Sequence, residues 1–227
     1  MISLLCPTRG RPEHVKRLHE SVQQSCSGLV PVELFCYVDE DDLATIGKIN
    51  ELHGIRIQVG PRLCLSDYWN ELAKTARYDL LMLMADDVVF RTKDWDLMVS
   101  EAFDLAPDHI LMVHGDDKGP AGKSFATLPI VHRKWVETVG YFTPPGFPGD
   151  FADTWLDEVA HSLGRHKFVP FVVEHLHHVW GKSPYDKTYR DKDVRQKEHD
   201  SRKVYEQRRR ERIRDAEKLL QVIKGRV

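Results

Sequence analysis

The chain has 227 residues, 41% hydrophobic and 30% charged, with a formal net charge of −2, which suits one domain of ordinary to large size, or one domain with an appendage. No apolar stretch approaches the ~20 residues needed to span a bilayer, and MISLLCPTRG lacks the positively charged start of a signal peptide, so a cytoplasmic protein is expected. The four cysteines, Cys6, Cys26, Cys36 and Cys64, form no CxxC pair and no histidine spacing points to zinc, which fits a reducing compartment.

Ile2 to Cys6 is an apolar run stopped by Pro7 and predicts a buried strand, followed by the turn-rich loop PTRGRP. Val15, Leu18 and Val22 recur at helical spacing and predict a helix over 13–25. A second strand over 32–38 ends in the acidic stretch Asp39 to Asp42, and a helix over about 42–53 follows. A third strand is expected over 55–59 and a third helix over 67–77, capped by Ser66. The fourth strand, 79–84, runs straight into Asp86 and Asp87. This βαβαβαβ order, with short connections, predicts a mostly parallel sheet flanked by helices.

Beyond the aspartate pair the pattern loosens. Helices are expected over 94–105, 133–139 and 153–163, and strands over 110–113, 125–131 and 168–173. Past Tyr185 the chain turns polar: residues 186–227 carry 15 Lys and Arg against 9 Asp and Glu, while residues 1–185 carry 18 against 26. An acidic body of 1–185 with a helical, basic extension over 186–227 is therefore expected. From Val204 onward Ile213, Ala216, Leu220 and Ile223 form a thin seam, which suits packing between copies of the chain. The run RRRERIR, Arg208 to Arg214, is ordinarily a solvated helix face, and alternatively a surface that follows the phosphates of a nucleic acid or meets anionic lipid.

An isolated Asp pair is most simply a polar turn. Here three clusters, Asp39 to Asp42, Asp86 with Asp87, and Glu174 to His178, all follow predicted strands, and a parallel sheet gathers such positions along one edge, where open α/β sheets bind their ligands. Two adjacent carboxylates repel one another unless a cation compensates, and Mg²⁺ or Mn²⁺ prefers oxygen ligands. In EHLHHVW, His175 and His177 share one face of an extended strand and His178 takes the other.

These stretches also carry a resemblance. Pro7, Thr8, Arg9, Arg11 and Pro12 match the opening PTRxRP loop of the GT-A nucleotide-sugar glycosyltransferases, most nearly family 2. Asp39, Asp41 and Asp42 match their nucleoside-holding acidic stretch, and Ala85-Asp86-Asp87 their DxD-type motif, with alanine where a first acid is common. GYFTPPGFPGDFADTW matches their acceptor region followed by an acid that opens a helix, and the resemblance covers roughly residues 2–180. It implies a GT-A fold and metal-dependent transfer, with inversion, of a hexosyl or pentosyl group from a nucleotide-sugar donor to a hydroxyl. Mn²⁺ or Mg²⁺ is held by Asp87 and by His177 or His175. The donor is held by Pro7, Thr8, Arg9, Arg11, Asp39, Asp41 and Asp86. The base is Asp153, with Asp157 one turn on as the fallback. Asn70 on the third helix is expected to reach the donor, and Lys182 and Asp186 to sit in a loop closing over the diphosphate. The acceptor is left open among a small molecule, a glycan and a modified DNA base. Two rivals stand beside this reading. A nucleotidyltransferase also uses Mg²⁺ on a similar sheet but wants a glycine-rich loop that PTRGRP does not supply. A binding module without turnover would keep the fold alone.

Overall fold

The structure is a computed structural model and describes residues 1–225. Its first half follows the sequence closely. Strands β1 (Ile2–Thr8), β2 (Val32–Asp39), β3 (Ile55–Gly60) and β4 (Leu80–Leu83) alternate with helices α1 (Pro12–Ser25), α2 (Leu43–Glu51) and α3 (Leu65–Thr75). The strands pair in parallel in the order β3-β2-β1-β4. All of β1 and β4 except Pro7 is buried, as continuous apolar runs in a sheet covered on both faces must be. Pro12 opens α1 at a position whose missing N–H costs nothing, and the Asp42 side chain caps α2 by accepting from Thr45 N.

The second half is mixed. It comprises β5 (Val88–Phe90), α4 (Trp95–Asp104), β6 (Met112–Asp116), β7 (Ile130–His132), α5 (Arg133–Val139), α6 (Ala152–Ser162) and β8 (His166–His175). The sheet continues β4-β7-β6-β8-β5. Here β7 runs antiparallel to β4 and β6, β8 parallel to β6, and β5 antiparallel to β8. The expectation of a mostly parallel sheet thus holds: four of the seven strand pairs are parallel, and the three antiparallel ones all lie in the second half. The strand expected over 125–131 shortens to its last residues, because Ala126 N donates to the Asp157 carboxylate instead of to a neighbouring strand. Strand β5 was not expected: three residues directly after an acidic turn carry too little periodicity to announce it.

The extension is helical from Lys187: α7 (Lys187–His199), α8 (Ser201–Gln207) and α9 (Arg209–Ile223). It packs on α5 and α6. The buried face of α9 is not the expected seam. Arg212, Asp215 and Leu219 are inside, while Ile213 is 48% exposed. Trp155 explains the rotation: its indole N–H donates to Asp215, as does the Tyr141 hydroxyl, and the Arg212 guanidinium lies 5.2 Å from the Trp155 ring and 3.7 Å from that of Tyr205. Of RRRERIR, Arg208 and Arg212 are therefore turned onto aromatic rings, and Arg209, Arg210 and Arg214 are left exposed. Among the described residues no helix is long and apolar enough to cross a membrane.

Candidate active site

The carboxyl ends of β1 and β4, the turn after β4, the end of β8, the N-terminal turn of α6 and one face of α7 enclose a cavity of about 490 Å³. Its walls include Arg11, Asp86, Asp87, Asp153, His175 and Tyr189. A cavity outside the carboxyl ends of the strands is where an α/β sheet places ligand chemistry.

Strand pairing brings the acidic turn to the histidines. Val88 of β5 faces His175 of β8, and Leu176 N donates to Asp87 O at 2.7 Å, so the Asp87 and His175 side chains meet. His175 Nε2 lies 3.0 Å from Asp87 Oδ1 but off the line a hydrogen bond needs, and this buried carboxylate oxygen has no hydrogen-bond partner. Asp87 Oδ2 accepts from the Tyr189 hydroxyl of α7. Asp86 is spent differently: Oδ2 accepts from Thr8 Oγ1 at 2.7 Å and Oδ1 from Arg11 at 2.9 Å. Arg11 also makes a two-pronged pair with Asp186 at 2.8 and 2.9 Å, and its head lies 3.8 Å from Asp87. One buried guanidinium thus compensates three carboxylates, the arrangement for which arginine's rigid fork is suited. Burial pushes the Asp87 carboxyl upward, but His175, Tyr189 and Arg11 outweigh it and hold it well below the usual carboxylate range.

The orphaned Asp87 Oδ1 beside His175, whose Nδ1 is also without a partner, is a donor set that fits a divalent cation. His177 lines the same cavity, and burial, then the His175 charge, lowers its pKa to about 4. Its Nδ1 accepts from Val179 N at 3.3 Å, so the neutral ring carries its proton on Nε2.

Asp153 stands in the first turn of α6 on the cavity wall. Burial raises its pKa to about 6, opposed by the Thr154 N–H, which donates to it at 2.8 Å. Asp157, one turn on, does not reach the cavity: Oδ1 accepts from Ala126 N at 2.9 Å and contacts His166 Nε2 at 3.1 Å. The fallback base of the sequence reading is thus turned toward β8, with Oδ1 engaged there and Oδ2 3.6 Å from His161 Nε2.

Pro7, Thr8, Arg9 and Arg11 line the cavity. Asp39 is buried behind the wall, accepting from Arg9 at 2.7 Å and from the Tyr68 hydroxyl. Asp41 is largely exposed, pairs with Arg9 at 2.8 Å, and lines a smaller adjoining pocket of about 190 Å³. Two of the expected donor contacts lie away from the cavity. Asn70 does not face the cavity: its amide bonds the backbone of Phe142 and Thr143 at 2.8–3.0 Å, which consumes its hydrogen-bonding groups. Lys182 lies outside as well, held by Lys118 O and Glu174 at 3.1 Å each. Sequence reasoning missed Tyr189 and Lys192, both on the cavity wall. The available signal was a single aromatic ring in the otherwise polar stretch DKTYRDKD.

No family model and no curated protein matches the chain. Solved structures do. A mannosyltransferase from Pyrobaculum calidifontis, PcManGT, in complex with GDP-Man and Mn²⁺, superposes with a TM-score of 0.58 at 14% identity, covering 79% of this chain and 59% of that one. S. aureus TarS residues 1–349 superposes with a TM-score of 0.56 in its complex with UDP (13% identity, 75% of this chain and 59% of that one) and in its complex with UDP-GlcNAc (14% identity, 75% and 57%). The fold is thus the GT-A fold of nucleotide-sugar glycosyltransferases. The chain spans about three fifths of the length of these structures.

Proposed function

We propose that this chain is a GT-A glycosyltransferase that moves a sugar from a nucleotide-sugar donor to a hydroxyl, with inversion. The observation that carries the proposal is the coincidence, in one cavity, of Asp87 with an unpartnered buried oxygen, His175, and a carboxyl at Asp153 whose pKa is raised to about 6. The neighbours' complexes with GDP-Man and Mn²⁺ and with UDP-GlcNAc support it.

In this reading Asp87 and His175 hold Mn²⁺ or Mg²⁺, which when bound neutralises the charge of the departing diphosphate. His177 donates its Nε2 proton to a phosphate oxygen. Arg9, pinned by Asp39 and Asp41, and the Tyr68 ring beside it form the nucleoside end of the site. Arg11 and Asp86 are positioning residues that hold the turn after β4 against β1. Asp153 takes the proton of the acceptor hydroxyl; a base with a pKa near the working pH does this best, and such help contributes ~10²–10⁴-fold. Asp186 and helix α7 close one side of the site, with the contacts of Asp186 to Arg11 and of Tyr189 to Asp87 holding them there.

The test is release of nucleoside diphosphate from a panel of UDP- and GDP-sugars with Mn²⁺. Release with at least one donor, abolished by a chelator, is the expected result. Binding without release for every donor and acceptor tried sinks the enzyme reading, and full activity in excess chelator sinks the metal.

A further inference from the structure

Helix α6 carries acids and imidazoles at a four-residue interval: Asp153 on the cavity, then Asp157, then His161. The last two turn away from the cavity toward the start of β8. There Asp157 Oδ1 lies 3.1 Å from His166 Nε2, Asp157 Oδ2 lies 3.6 Å from His161 Nε2, and the two imidazole rings are 3.8 Å apart. One ligand atom from each of the three residues falls within 4.8 Å of the others. The His161 contact, at 3.6 Å, is too long for a hydrogen bond, so hydrogen bonding alone does not account for this gathering.

A second observation points the same way. His114 of β6 is 1% exposed and its ring packs 4.5 Å from that of His166. Its Nδ1 is 3.0 Å from the Gly115 carbonyl, which can only accept, so the ring proton is on Nδ1. Nε2 is left as a buried lone pair with no partner. A buried acceptor without a partner is costly unless something in its surroundings compensates it.

We propose that Asp157, His161 and His166 bind a divalent transition metal of the zinc type, with the buried His114 ring packed against that of His166, as a structural site separate from the cavity. Two imidazoles and one carboxylate select such a metal over Mg²⁺. His161 is half exposed, so the metal has an entry path and a position open to water. Bound there, it joins the last turns of α6 to β8. Asp157 also anchors Ala126, whose neighbours Phe125 and Thr127 line the cavity, so the same cross-link steadies the cavity wall and the helix that presents Asp153. The ligands come from a helix and a strand at intervals of four and five residues, without cysteine, which is why no zinc spacing shows in the sequence.

The experiment uses the full chain carrying Asp87→Ala, which silences the cavity as a metal site, freed of metal and titrated with Zn²⁺ alone by calorimetry, with Co²⁺ absorption as a second readout. One equivalent of Zn²⁺ should bind and raise the melting temperature. Adding His161→Ala, a half-exposed position expected to leave the metal-free melting temperature unchanged, should weaken binding at least about tenfold, and His166→Gln should do the same. No zinc binding in the Asp87→Ala chain, or equal binding after both histidine substitutions, overturns the proposal.

Discussion

Asp87 and Asp157 are both buried, both sit against a histidine of β8, and serve different ends. Asp157 has its oxygens shared among Ala126 N–H, His166 and His161, and lies outside the cavity. Asp87 keeps one buried oxygen without a hydrogen bond, 3.0 Å from His175 Nε2, and the residue lines the cavity wall. The difference shows that proximity of carboxylate to imidazole does not mark a reaction centre. Asp87 is set apart by lining the cavity and by a buried oxygen that makes no hydrogen bond, which is costly unless something occupies it.

The sharpest way to break the comparison is to remove each carboxylate. Asp87→Ala should lower transfer about 10³-fold or more, as a metal supplies several kcal/mol to the departing charge and each 1.36 kcal/mol is tenfold. Asp157→Asn should weaken the fold while leaving turnover of the folded fraction nearly unchanged. Parallel kinetics and melting curves on the two variants check this, and equal kinetic losses would erase the distinction.

Asp153→Asn should cost about 10²-fold in kcat with donor affinity kept. The wild-type rate should rise with pH through about 6, where Asp153 loses its proton, and the variant should lack that limb. Stability follows the opposite sign. The folded-state pKa lies above the ordinary carboxyl value, so the native state binds the proton more tightly, and its stabilisation is present at low pH and lost as pH rises from about 4 to 6. Asp153→Asn should therefore melt higher than wild type at pH 7, with the advantage gone at pH 4.

Arg11→Ala should cost about 3 kcal/mol of stability, because it leaves Asp86, Asp87 and Asp186 buried or half-buried without their cation. Added Mn²⁺ should recover part of that loss in wild-type Asp87 background and none of it when Asp87 is also alanine. The smallest effect is expected at the exposed arginines: reversing Arg209, Arg210 and Arg214 to Glu should change donor hydrolysis less than about twofold, as surface positions usually do. A large loss of activity on duplex DNA in that triple variant, measured across a salt series, would instead identify a polyanionic acceptor.

The first half of the fold was legible because β1, β2 and β4 are largely apolar runs ending at Pro or Asp, β3 alternates apolar and polar residues up to Gly60, and the helices carry apolar stripes. Legibility fell where long-range pairing decides structure. Strand β5 exists because β8 pairs with it, and that pairing, not any local pattern, puts His175 on Asp87. Asn70 looked free on a polar helix face, but the Phe142–Thr143 turn, some seventy residues on, takes its amide. Asp157 was one helical turn from Asp153, and the helix geometry that made it a plausible substitute also points it at β8. Tyr189 was hidden in charge: α7 buries that one residue, and its hydroxyl reaches across 102 positions to Asp87.

In the proposed function Asp87 completes a cation-dependent site for a nucleoside diphosphate. Calorimetric titration of UDP and GDP into the protein, with and without Mn²⁺, tests this most directly. At least one of them should bind with Mn²⁺, bind at least about tenfold more weakly without it, and lose the Mn²⁺ effect in Asp87→Ala. Binding that is equally tight without the metal, or a Mn²⁺ effect that survives Asp87→Ala, would contradict it.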